Sequence, residues 1–95
     1  MIRVSEREIE NCLKEFNKRD IVLKMKGIVI ADVKMVLARC VYNRTVGILE
    51  ISNSQAKFEF NMSCLYRMTV SSNGRTLQMH FDNGIYATID KWIFL

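Results

Sequence analysis

Leu65–Lys91 reads LYRMTVSSNGRTLQMHFDNGIYATIDK, and the pairing of its apolar residues decides the fold. Asn73-Gly74 suits a two-residue hairpin turn, because both central positions of such a turn need positive φ. That turn sets Val70 opposite Leu77, Met68 opposite Met79 and Tyr66 opposite Phe81, so six apolar side chains share one face of an antiparallel pair. A three-residue loop at Asp82-Asn83-Gly84, with glycine in the left-handed position, continues the face. It pairs Phe81 with Ile85, Met79 with Ala87 and Leu77 with Ile89.

The same alternation extends upstream. A turn around Asn53-Ser54-Gln55 pairs Ile51 with Phe58, and a tight connection at Ser63-Cys64-Leu65 pairs Met62 with Tyr66 and Phe60 with Met68. The result is a five-strand meander with one apolar and one polar face, the pattern of an antiparallel sheet packed on one side. Before it, Ile21, Leu23 and Met25 alternate with Val22, Lys24 and Lys26, which reads as another strand. Residues 33–41 fit either a helix capped by Asp32 or a strand. The β-branched Val33, Val36 and Val41 favour the strand, with Tyr42 opposite Gly47, Cys40 opposite Leu49 and Ala38 opposite Ile51.

At the N-terminus, Ser5-Glu6-Arg7-Glu8 is a capping box. Ile9, Cys12, Leu13 and Phe16 follow at helical spacing and predict an amphipathic helix over about residues 6–18. Leu37, Val41 and Ile48 fall on the outer face of the sheet, and this helix is the element expected to cover them. With 95 residues, the chain is expected to form a single domain, 1–95. The expected class is α+β, mainly β: the helix followed by a curved antiparallel meander of about six or seven strands, with a small closed barrel as the limiting form. The strands are placed at about 20–31, 34–42, 46–52, 56–62, 65–71, 75–82 and 85–91.

The composition is 49% hydrophobic, 25% charged and free of proline, which excludes a polar disordered tail and a proline-rich ligand. The longest nearly apolar run, Gly27–Ala31, is far shorter than a membrane helix. No secretory or lipidation signal is read at the charged N-terminus, so a cytoplasmic location and no membrane contact are expected. Cys12, Cys40 and Cys64 are odd in number and widely spaced, unlike a disulfide framework or a zinc site, and are read as reduced, buried thiols. Neither a metal nor a cofactor is expected.

Enzymatic chemistry finds little material. There is one histidine, no phosphate-cradling glycine loop and no nucleophile elbow. The chain is therefore expected to be a non-enzymatic binding module or regulator that acts through protein contacts or self-association. Three groups of residues are candidates. Residues 14–44 hold eight basic against three acidic side chains, and Lys18, Arg19, Lys24, Lys26 and Arg44 form a basic junction able to meet an acidic surface. The apolar C-terminus offers Trp92 and Phe94 as an interface. On the polar sheet face the meander register sets Asn61, Arg67, His80 and Tyr86 in one row, beside Glu59, Thr69, Gln78 and Thr88. The row of Asn61, Arg67, His80 and Tyr86 makes nucleic acid the alternative partner, since rings can stack on bases and cations can hold phosphates.

Overall fold

The computed structural model describes residues 5–27 and 30–91. A helix, α1 (Glu6–Lys14), precedes strands β1 (Arg19–Lys26), β2 (Ala31–Asn43), β3 (Ile48–Ser52), β4 (Lys57–Asn61), β5 (Leu65–Val70), β6 (Thr76–Phe81) and β7 (Tyr86–Lys91). All neighbouring strands are antiparallel, in the order β4-β3-β2-β1-β7-β6-β5. The class is α+β, mainly β, as expected. The sheet is not closed: β4 and β5 are its two edges.

Several expected pairings are present. Val70 faces Leu77, Met68 faces Met79, Met79 faces Ala87 and Leu77 faces Ile89. Ile51 faces Phe58. Gly84 has φ 87° in the three-residue loop, where the Phe81 N–H donates to the Ile85 carbonyl at 3.0 Å. The loop at Asn73-Gly74 is wider than two residues. The Ser71 N–H donates to the Thr76 carbonyl at 2.9 Å, and the Ser71 hydroxyl accepts from the amides of Arg75 and Thr76.

Four expectations need correction. First, β4 and β5 form no hairpin, so Met62 does not face Tyr66 and Phe60 does not face Met68. The Asn61 carboxamide accepts from the Ser63 amide at 3.1 Å and caps a 3-10 turn at Met62–Cys64, which separates the two strands. Second, Leu65 rather than Tyr66 pairs with Phe81, because a bulge lies between Leu65 and Arg67. Third, the β2–β3 register is two residues from expectation, with Cys40 facing Ile51 and Tyr42 facing Leu49. The Gly47 N–H donates to the Asn43 carbonyl at 2.9 Å, so the turn sits one residue later; a shift of two leaves every side chain on its expected face. Fourth, α1 ends at Lys14, not near residue 18. Lys18 has φ 60° and its N–H donates to the Ala38 carbonyl at 2.7 Å, committing the backbone to β2.

The helix also covers a different surface from the one expected. Its buried residues Ile9 and Leu13, with Phe16 in the turn that follows it, join the same core as the inner-face residues Ile21, Leu23, Leu49, Ile51, Leu77, Met79 and Ile89. α1 contacts β2 and β5, while Leu37 and Val41 on the outer side stay exposed. Phe60 of β4 and Phe81 of β6 stack with centroids 5.8 Å apart, showing how the coiled sheet brings distant strands together around one core. The expected site residues Trp92 and Phe94 lie outside the described residues.

Phe16 is fully buried, and the Lys91 ammonium sits 5.1 Å from its ring centroid. Phe16→Ala should lower the unfolding free energy by about 3–5 kcal/mol, a large part of the roughly 5–15 kcal/mol of a small domain. Urea titration followed by circular dichroism measures it, and an unchanged midpoint would place Phe16 outside the core.

Candidate functional site

The outer face of β5, β6, β7 and β1 carries a register row that joins two of the expected groups. Arg67 faces His80, His80 faces Tyr86, and Tyr86 faces Lys26. Their inner neighbours Met68, Met79, Ala87 and Met25 point into or against the core, so strict alternation sends all four outward. The next row is Thr69, Gln78, Thr88, Lys24 and Asp32. The two rows thus hold three cations, Arg67, Lys24 and Lys26, against the single carboxylate of Asp32.

The β5 bulge adds a residue that the sequence reading had placed inside. The extra residue between Leu65 and Arg67 releases Tyr66 from the inner face, and its side chain is 43% exposed. The Tyr66 and His80 ring centroids are 6.0 Å apart, and those of His80 and Tyr86 are 4.6 Å apart. Both pairs are tilted near 45°, within the geometry that aromatic pairs favour. Three rings therefore form a continuous strip with a guanidinium and an ammonium in its row.

The other expected site residues are dispersed. Asn61 is on edge strand β4, outside the row, where it shares with Lys26 a cavity of about 380 Å³ walled by Met25, Phe60, Phe81 and Ile85. Glu59 is also on β4 and pairs with Lys57 at 3.9 Å. Arg19 and Lys26 stand at the two ends of β1, about 23 Å apart along an extended strand, and Lys18 precedes Arg19 in the turn. Arg44 is engaged by the helix: it contacts Glu6 at 3.5 Å and hydrogen-bonds Glu10. The bond to Glu10 holds its guanidinium in the charged form. The basic junction is thus several separate positions, of which Lys26 belongs to the row of the strip and Lys24 to the row beside it.

The three thiols are free. Cys40 is buried, its Sγ lies 3.8 Å from the Phe16 carbonyl, and burial pushes its thiol up to about 11. Cys12 and Cys64 are half-buried, short of the full burial expected, and burial followed by the Glu8 carboxylate raises the Cys12 thiol. Among the described residues, no group of three or more His, Cys, Asp or Glu side chains could hold a metal ion, and no helix is long and apolar enough to cross a membrane. In the native protein at pH 8, Cys40 should be the last thiol alkylated by iodoacetamide, with site occupancy read by mass spectrometry. Because its folded-state value is raised, the protonated thiol's contribution to stability is complete below about pH 9 and is lost as the pH climbs towards 11. Cys40 modified as fast as Cys64 would show that its burial is not maintained.

No family model matches the chain, and no curated protein or solved structure matches it.

Proposed function

We propose that this chain is a non-enzymatic binding module that holds single-stranded nucleic acid across the outer face of β5, β6, β7 and β1. The observation that carries this reading is the ring strip Tyr66–His80–Tyr86 in register with Arg67 and Lys26. Each base offers a face that can stack on an aromatic ring, worth about 1–3 kcal/mol per base, without demanding a particular sequence. The row spans three inter-strand gaps, about 14 Å, a length that suits two or three splayed bases. Arg67 and Lys26 flank the rings in that row, where phosphates on either side of a stacked base would fall. A duplex hides its base faces, so single strands are the favoured form.

His80 has a tyrosine ring on each side, an arrangement suited to stacking rather than to proton transfer. The chain's net charge of +4 supports an acidic ligand. A cytoplasmic setting, where three unpaired thiols stay reduced, suits the same reading.

Fluorescence anisotropy with a labelled uridine decamer tests it. Binding should weaken with salt at a slope of log K against log salt near −2, as about three cations meeting a single strand give. Tyr66→Ala and Tyr86→Ala should each cost about 1–3 kcal/mol, roughly 5-fold to 150-fold in affinity, while Arg44→Ala leaves binding unchanged. Absence of binding at low salt, or tyrosine variants that bind as well as the native chain, would sink the proposal.

A further inference from the structure

The row beside the rings offers chemistry that the rings do not. Thr69 faces Gln78, Gln78 faces Thr88 and Thr88 faces Lys24, one outward position along each strand from the row of Arg67, His80, Tyr86 and Lys26. Two residues of extended strand separate the rows by about 7 Å, close to the reach from the middle of a nucleobase to the 2′-hydroxyl of its own ribose. The Thr69 hydroxyl donates to Gln78 Oε1 at 3.4 Å. That bond assigns the ends of the carboxamide: Oε1 is engaged as an acceptor, and Nε2 carries two hydrogens to donate. The Thr69 oxygen, having given its own proton, keeps lone pairs that accept. Both side chains are half-buried, whereas Thr88 beside them is buried at 8% exposure. Thr69 and Gln78 are therefore the members of the row that a ligand on the rings can reach.

Charge decides on which side of the rings a sugar–phosphate backbone runs. Asp82 follows β6 on the far side of His80 from Gln78 and is exposed, a carboxylate that repels phosphates there. Lys24 is exposed in the row of Gln78 and attracts them to that side. Asp32 faces Lys24 from β2, at the end of the row furthest from Thr69 and Gln78. We infer that the site selects single-stranded RNA over DNA, because Thr69 and Gln78 recognise a ribose 2′-hydroxyl. Gln78 Nε2 donates to the hydroxyl oxygen, and the hydroxyl donates to Thr69 Oγ1. A 2′-hydroxyl both donates and accepts, and the pair presents one partner for each role; deoxyribose supplies neither. The inference rests on the reading of the ring strip as a base-stacking surface and adds to it a choice of sugar.

The test sets the labelled uridine decamer against a deoxyuridine decamer and a 2′-O-methyluridine decamer, so that the base is constant and only the sugar differs. A hydrogen bond of ordinary net strength is worth about two- to twelvefold in affinity, and the native chain should prefer the uridine decamer at least fivefold over each of the others. Gln78→Met and Thr69→Val, which keep the size of the side chains, should each bring the uridine affinity down towards the deoxyuridine value and leave the latter within twofold. Tyr86→Ala should weaken both decamers alike, since stacking does not depend on the sugar. The three-decamer comparison uses the native chain and so stands even where a variant fails to fold. Equal affinity for uridine and deoxyuridine, with Tyr86→Ala still weakening both, overturns the sugar choice and leaves the strip standing. Tighter binding of deoxyuridine, full-strength binding of the methylated decamer, or a preference that survives both Gln78→Met and Thr69→Val also overturns it. Absence of binding to all three decamers overturns the strip and the sugar choice together.

Discussion

The ladder between β1 and β7 is the constraint on which the rest depends. Six residue pairs, from Ile21 with Lys91 to Lys26 with Tyr86, join the first strand to the last. Without it the chain would form two separate hairpin groups, β1–β4 and β5–β7, each with an uncovered apolar face. Closing a loop of this length carries a length-dependent entropic cost of roughly 4 kcal/mol. Full burial of Ile21, Leu23 and Ile89 at the ladder, each worth about 1.5–3 kcal/mol, offsets it. The same pairing sets Lys26 beside Tyr86, so the contact that completes the core also assembles the outer row.

Two bulges then give that outer surface its character, each by releasing one side chain from the alternation of its strand. On β5 the extra residue frees Tyr66 to meet the His80 ring. At the β1–β2 corner the extra residue leaves Leu37 in the left-handed region with its side chain in solvent. The inward positions of the strands build the core, and the β5 bulge adds Tyr66 to the outward positions that make the strip. α1 supports the strip indirectly, since its buried stripe fills the core between β2 and β5 and its Glu6 and Glu10 carboxylates engage Arg44.

Local pairing was legible in the sequence because hairpins are specified by adjacent residues. Asn73-Gly74 and Asp82-Asn83-Gly84 set the β5–β6–β7 register correctly from Arg67 onward, and Asn53 set that of β3–β4. Three of the four expected row members, Arg67, His80 and Tyr86, followed from that register. What escaped was non-local. Nothing near Lys26 announces Tyr86, sixty positions away. A strand-turn-strand reading of Ser63-Cys64-Leu65 hid the 3-10 turn that Asn61 caps, and so put Asn61 in the row in place of Lys26. Tyr66 was placed inside because period two leaves no room for a bulge, and its only signal was an apolar pair of Leu65 and Tyr66 competing for one inner position. The basic junction illustrates the converse error: closeness in sequence was taken as closeness in space, whereas an extended β1 carries its cations apart.

Cross-strand nuclear Overhauser contacts in an isotope-labelled sample test the β1–β7 ladder most directly. The account predicts backbone contacts between Lys26 and Tyr86 and between Lys24 and Thr88, with none between Phe60 and Met68. Contacts joining Phe60 to Met68, with none joining β1 to β7, would restore the simple meander, part Lys26 from Tyr86, and contradict the assembly of the strip.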